Sequence, residues 1–392
     1  MPFPLYLLAM AVFAMGTSEF MLAGLLPAIA ADLDVTVGTA ALLTTAFAIG
    51  MTVGAPLMAG LARNRPGRSS LFGFVLAFLA AHAVGAVTSS FAVLFATRAI
   101  AALANAGFLA VALTTAATLV SPDMKGRALA VLLSGTTLAT IVGVPAGTLL
   151  GTLLGWRATF WAVAALCLPA AIGILTRLPA HRGHQDAADR PGLRSELARL
   201  KSPRLLLVLL LGALVNAATF ASFTFLAPVV TGTAGMGELW VPVVLVLFGA
   251  GSFVGVTVAG RLSDRRPGLV VAVGGPLLLS GWGALAVLAH EPAALLCLVF
   301  VQGALSFALG STLITRVLYE AAAAPTMAGS YATAALNAGA AVGPFVAATT
   351  LTTAAGDTGP LWVSGLLVLS VLLVAWPLRR VIAAGRSSEV LS

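Results

Sequence analysis

The sequence predicts an all-α integral membrane protein: twelve transmembrane helices in two six-helix halves. An apolar composition, apolar runs of membrane-spanning length and an internal repeat carry that reading. Hydrophobic residues make up 60% of the 392 and charged residues 9%, against about 25% charged in soluble proteins. So little polar surface cannot clothe a water-soluble fold. It also excludes disordered, collagen-like and disulfide-rich chains. Cys167 and Cys297 lie inside apolar runs and imply no disulfide framework. The net charge of +8 sits in short basic clusters between apolar runs, as at the cytoplasmic face of a membrane protein rather than in a nucleic-acid binder.

Runs of about 20 apolar residues, enough to cross the hydrocarbon of a bilayer, fall near 4–29, 38–61, 71–88, 91–113, 128–150, 158–176, 205–227, 240–259, 269–288, 293–313, 327–349 and 360–378. The first resembles a signal peptide at Ala28-Ile29-Ala30. It lacks a basic n-region, is too long and contains Glu19, so it reads as span 1. Twelve spans put both termini on one side. With the N-terminus inside, the cytoplasmic segments hold 19 of the 21 basic residues, which orients both termini to the cytoplasm of a multi-pass cell-membrane protein. Only Arg157, outside, and Arg98, within span 4, depart from that pattern.

Residues 177–204 are Arg-rich, contain Pro179, Pro191 and Pro203, and read as a cytoplasmic linker between an N-terminal half (1–176) and a C-terminal half (205–392). The halves repeat. Gly60-Leu61-Ala62-Arg63-Asn64-Arg65 after span 2 matches Gly260-Arg261-Leu262-Ser263-Asp264-Arg265 after span 8, and Gly143 in span 5 matches Gly343 in span 11, at one offset of 200. Parallel repeats of this kind belong to transporters that rock one half against the other.

Charges within a bilayer cost about 2.5–3.5 kcal/mol each on insertion scales, so they mark function by default. The chain places two there, Glu19 in span 1 and Arg98 in span 4, at similar depths from the outer face. They read either as a structural pair pinning two helices or as a proton-coupling pair. In the second reading, burial and a neighbouring guanidinium act on a carboxyl in opposite senses. Substrate or water moving between them then switches Glu19 between holding and releasing a proton. Asn105, Asn216, Gln302 and Asn337 lie mid-span and need partners in hydrocarbon. Each either bonds a neighbouring helix or, for Asn105, Asn216 and Gln302, meets a substrate, with Phe108, Phe220 and Phe223 as apolar walls. His82 in span 3 reads as a hydrogen-bonded packing residue rather than a relay. Gly50/Gly54 and Gly251/Gly255 are small-xxx-small packing spacings, and Trp156, Trp240, Trp362 and Trp376 fall near span ends as interfacial anchors.

Several of these residues resemble one family, the twelve-helix drug:proton antiporters of the major facilitator superfamily. After span 2, Gly60, Asn64, Arg65, Gly67 and Arg68 resemble its G-x-L-x-D-R-x-G-R motif, with Asn64 at the acidic position; in the second half Asp264 keeps the acid beside Arg265 after Gly260. Arg98 matches the family's span-4 arginine, followed by Ala101-Ala102 where Gln-Gly is usual. Gly135, Gly143, Pro145, Gly147 and Gly151 resemble its antiporter motif, and Gly16-Thr17-Ser18-Glu19-Phe20 and Gly155-Trp156-Arg157 are similar to it too. Ala104-Asn105-Ala106-Gly107-Phe108 and the stretch from Asn216 to Phe223 most resemble chloramphenicol-resistance exporters of GC-rich bacteria.

The resemblance implies the major-facilitator fold, with spans 1, 4, 7 and 10 lining a central cavity. It implies proton-driven export of a small amphiphilic antibiotic such as chloramphenicol, by a monomer that needs no cofactor. A sugar, nucleoside or related metabolite is the alternative cargo. An intramembrane enzyme would need a metal cluster or nucleophile–base set, a channel would need a filter or charge ring, and direct ATP use would need the P-loop pattern, which the sequence lacks.

Overall fold

The computed structural model describes residues 1–22, 25–63, 65–178, 192–237, 239–265 and 267–375. Twelve principal helices follow in chain order. The first six are α1 (Phe3–Met21), α2 (Val37–Ala62), α3 (Gly67–Val87), α4 (Phe91–Thr118), α5 (Lys125–Leu138, a π turn at Ala139–Gly143, then Val144–Leu154) and α6 (Trp156–Arg177). The second six are α7 (Pro203–Phe223), α8 (Trp240–Arg265), α9 (Pro267–Leu288), α10 (Pro292–Glu320), α11 (Ala328–Ala348) and α12 (Gly359–Ala375). Among the described residues, ten helices are long and apolar enough to cross a membrane, and α1 adds the shorter apolar stretch Phe3–Glu19.

Span boundaries moved where proline or polar ends intervene. Span 1 is not one helix to residue 29: α1 stops at Met21, and Leu26–Asp32 forms a separate helix with proline in its first turn. Proline suits a helix start because its missing N–H has no partner there in any case. Pro145 likewise cannot donate into the preceding turn, and the ladder of α5 widens into the π turn just before it. Span 10 runs on to Glu320, so Arg316, expected in a loop, lies in the last turns of α10 and is partly buried. A long arginine stem lets a helix continue past the hydrocarbon while its charge reaches a polar layer. Within the expected linker, Leu193–Ala198 is a short helix, while Pro179 and Pro191 lie outside the described residues.

The chain divides into two compact units: Met1–Leu197 with Ala322–Ala334, and Ala198–Ala321 with Ala335–Ser392. In the first, α2 packs on α4, α3 on α4 and α6, and α1 on α5 and α6; in the second, α8 packs on α10, α9 on α10 and α12, and α7 on α12 and α10. The pairs α2–α4 and α8–α10 are counterparts in the repeat, and both use the small-residue spacings. A Cβ at Gly50 would lie 2.6 Å from the Cβ of Ala102. At Gly251 and Gly255 it would overlap the carbonyls of Phe300 and Ala304. Such contact between backbones is what small residues permit in lipid, where packing rather than the hydrophobic effect holds helices together.

The repeat extends to a second seam. Gly143 of α5 faces the Thr17 side chain of α1, and Gly343 of α11 faces the Ala217 carbonyl of α7, so both partners keep the offset of 200. Gly147 faces Met21. Of the interfacial tryptophans, Trp240 and Trp362 are exposed, but Trp156 is buried. Its Nε1–H donates to Asp32 at 3.2 Å and its ring meets Phe160 edge-on, so its polar handle is satisfied by protein instead of the membrane interface. Arg157 pairs with the same carboxylate and donates to the Thr88 carbonyl. Trp376 lies outside the described residues.

Candidate functional site

The candidate proton-coupling residues of the first unit gather where α1, α3 and α4 pass one another. Helix spacing puts Arg98 and Asn105 on one face of α4, two turns apart. Arg98 is 1% exposed. Its Nη1 donates to Ser18 Oγ at 2.7 Å and its Nη2 to the Ser18 carbonyl at 3.3 Å, while the Phe47 ring lies 4.4 Å beneath the guanidinium. Glu19 is half-buried and accepts from Asn105 Nδ2 at 3.4 Å.

Glu19 and Arg98 therefore sit in one neighbourhood without direct contact: among the described residues no ion pair within 4.0 Å joins them. Their charges still act on each other. Each has instead a polar intermediary, Asn105 for the acid and Ser18 for the base. Sequence reasoning missed Ser18 as an anchor, because serine in a membrane helix usually bonds its own backbone. His82 is the hydrogen-bonded packing residue that the sequence suggested. His82 is 1% exposed, with Nε2 at 2.5 Å from Ser18 Oγ and Nδ1 at 2.8 Å from the Phe78 carbonyl, stacked on Phe78 and tilted against Phe160.

In the second unit the candidate walls form an aromatic cluster. Phe220 meets Phe223 edge-on with centroids 6.0 Å apart, Phe223 lies 5.0 Å from Phe248 of α8, and Phe248 lies 6.3 Å from Phe307 of α10. Phe248 and Phe307 extend a wall that the sequence could not assemble, since only packing brings three helices together. Asn216 donates to the Leu336 carbonyl at 2.7 Å and so ties α7 to α11. Gln302 is fully buried, donates to the Leu278 carbonyl of α9 at 3.0 Å, and presses its Oε1 against Gly281. In the first unit, Phe108 is 1% exposed. In this conformation Gln302 and Phe108 thus face protein.

Of the motif after α2, Gly60 and Gly67 close the helices around the turn, with Arg65 and Arg68 beside them. Asn64 lies outside the described residues, as do the side chains of Asp264 and Arg265, although Gly260, Asp264 and Arg265 fall in the last turns of α8. Beside Arg63 of the motif lies an acid that sequence reasoning did not find. Glu196, in the Leu193–Ala198 helix, is fully buried and accepts from the backbone N–H of Thr326 and of Met327 at 3.0 Å each. Arg63 Nε lies 3.9 Å from its other oxygen, and the Tyr331 hydroxyl donates to its carbonyl at 2.9 Å. A lone glutamate in an arginine-rich stretch carries no mark of this, because the partners are backbone groups 130 residues away.

Twelve helices in two repeated halves, with a polar cluster at buried Arg98, define a transporter of the Major Facilitator Superfamily; the model of that family matches residues 8–344, and the chain belongs to it. It is 74% identical over 389 residues to a chloramphenicol resistance protein of Streptomyces lividans, covering 99% of each chain. It is also 34% identical over 341 residues to the inner membrane transport protein YdhP of Escherichia coli K12, covering 87% of each. Among solved structures, its fold is similar to the transporter FucP in the outward conformation, with a TM-score of 0.78, 16% identity and coverage of 96% of this chain and 98% of that one. The proton:xylose symporter XylE gives 0.76 at 14% identity, covering 96% and 95%.

Proposed function

We propose that this chain exports chloramphenicol across the cell membrane in exchange for protons, by alternating access, and so confers resistance. The observation that carries the cargo is the 74% identity over nearly the whole length to a protein known for chloramphenicol resistance. The Glu19–Asn105 contact beside Arg98 and Ser18 supports the coupling. Glu19 is the proton carrier: it takes a proton on one side of the membrane and gives it up on the other. Arg98 discriminates between the two charge states. Each proton entering down 100 mV contributes about 2.3 kcal/mol, enough to bias a rocking equilibrium by more than tenfold.

Chloramphenicol is neutral, aromatic, hydroxylated and amide-bearing. Phe220 and Phe223, extended by Phe248 and Phe307, supply an aromatic wall for it, and Asn105, Phe108, Asn216 and Gln302 complete the set of candidate contacts. Phe108 and Gln302 take part by turning out of their packed positions during the cycle. Asp264 with Arg265, and Arg65 with Arg68, hold one state of the cycle at the basic end. The Gly143, Pro145 and Gly147 stretch seals α5 on α1. The protein acts as a monomer without a cofactor, carries out no covalent chemistry, and has both termini in the cytoplasm.

Accumulation of labelled chloramphenicol in expressing cells tests the reading. Low accumulation that rises with an uncoupler is the expected result, and Glu19→Gln should abolish uphill export. Unchanged accumulation in cells verified to express the protein would overturn the cargo, and a sugar or nucleoside would then be tried. Glu19→Gln protein that still exports uphill and still moves protons would overturn the carrier role.

A further inference from the structure

We propose that Ser18 and His82 are positioning residues for Arg98, holding its guanidinium on the turn of α1 that carries Glu19. The proposal rests on the proton-exchange reading above.

Hydrogen bookkeeping fixes the direction of the chain. The Phe78 carbonyl only accepts, so His82 Nδ1, 2.8 Å away, carries the hydrogen. The other nitrogen of a neutral imidazole is then an acceptor, so Ser18 Oγ, 2.5 Å from Nε2, donates to it. A hydroxyl has one hydrogen and two lone pairs. With its hydrogen committed to His82, Ser18 Oγ turns a lone pair to Arg98 Nη1 at 2.7 Å. The opposite tautomer would push the hydroxyl hydrogen toward a cation. Phe78 and Phe160 hold the ring on both sides.

Arg98 needs this support. It is buried, no carboxylate lies within 4.0 Å of it among the described residues, and its Nε has no hydrogen-bond partner. Among the described residues, its hydrogen bonds both end on Ser18. A buried cation anchored through one residue moves when that residue's hydroxyl turns. Ser18 adjoins Glu19 in the chain, so such a movement alters the field at the proton carrier directly.

Three substitutions separate positioning from its competitors. His82→Gln brings an amide oxygen to the place of Nε2 and keeps an acceptor for Ser18. His82→Asn reaches only the place of Nδ1, and Ser18→Ala removes the oxygen itself. Uphill chloramphenicol export and the accompanying proton flux are measured in proteoliposomes, at equal amounts of folded protein. His82→Gln should stay close to wild type. His82→Asn and Ser18→Ala should each lose about tenfold or more, the size expected for a lost hydrogen bond to a buried charge. His82→Gln as defective as His82→Asn would mean that the imidazole itself carries protons, and would overturn positioning. His82→Asn equal to wild type would mean that the ring only packs, and would overturn it too.

Magnetic resonance of isotope-labelled histidine gives a readout independent of transport, with His82→Gln assigning the signal among four histidines. A neutral ring protonated on Nδ1, whose signal shifts in Ser18→Ala, supports the positioning chain. A ring protonated on Nε2, or on both nitrogens, overturns it. If wild-type protein moves no chloramphenicol or no protons, the function proposed above fails, and the tautomer still decides whether the chain from His82 to Arg98 exists.

Discussion

Glu196 offers the sharpest test of how the first unit is held together. Its side chain is fully buried, yet it is a carboxylate in a basic stretch, and one oxygen receives two backbone N–H groups just ahead of α11. Donors at a helix start have no intrahelical partners, and a negative charge there also meets the positive end of the helix dipole. Replacing Glu196 by alanine strands the part-buried Thr326 N–H and leaves the Met327 N–H with only its turn bond to the Ala324 carbonyl at 3.0 Å. With about 1–3 kcal/mol for the stranded donor and about 1 kcal/mol for the lost attraction to the helix dipole, the expected loss is about 2–4 kcal/mol. Glutamine keeps an acceptor but gives up the charge, and with it the attraction to the dipole and to Arg63 at 3.9 Å. Its loss should be about 1–2 kcal/mol. Melting of purified protein in detergent, followed by tryptophan fluorescence, should therefore rank wild type above Glu196→Gln and that above Glu196→Ala. An alanine variant that melts with wild type would refute the reasoning, and so would a glutamine variant that melts below alanine.

Other expectations concern the seams and the walls. Gly343→Ala should lower yield and melting temperature more than Gly143→Ala, since the added methyl meets the Ala217 backbone in one case and the Thr17 side chain in the other; equal effects would count against the seam geometry. Overpacking of this kind costs about 1–3 kcal/mol. Phe223→Ala should raise the KM for chloramphenicol several-fold at unchanged expression, because the ring is only partly buried and anchors the Phe220–Phe248 cluster. Gln302→Leu should raise that KM in transport assays and alter melting only slightly, since its amide bonds Leu278 and its Oε1 lacks a hydrogen-bond partner in this conformation; an unchanged KM would confine the amide to its helix contact.

Hydropathy made the helices legible because a bilayer imposes one length on every apolar span. Breaks were less legible: α1 ends eight residues before span 1 was expected to end at 29, since apolar residues continue into the separate Leu26–Asp32 helix. The two intramembrane charges were visible as exceptions to composition, but their partners were not. Periodicity places Glu19 and Arg98 at matching depth, whereas the bonding of Asn105 to the acid and of Ser18 to the base depends on side-chain directions around two helices. His82 was legible as a hydrogen-bonded packing residue, but its tie to Ser18 depends on α1 being brought against α3. Gln302 shows the converse: a mid-span amide invites a ligand, and only packing reveals that in this conformation it bonds the neighbouring helix and lies against Gly281.

The glycine seams bear on how such an exporter evolves. At Gly251, Gly255 and Gly343 every alternative side chain meets main-chain atoms of the facing helix, so no neighbouring substitution relieves the collision and the sites admit almost no viable variants. Phe220, Phe223 and Phe307 are only partly buried, and exchanging them disturbs a local cluster and little else. Selection by a new antibiotic therefore acts on a small set of editable positions carried on a nearly immutable frame. Pumps descended from this one are expected to diverge in cargo at those rings while their glycines stay where they are.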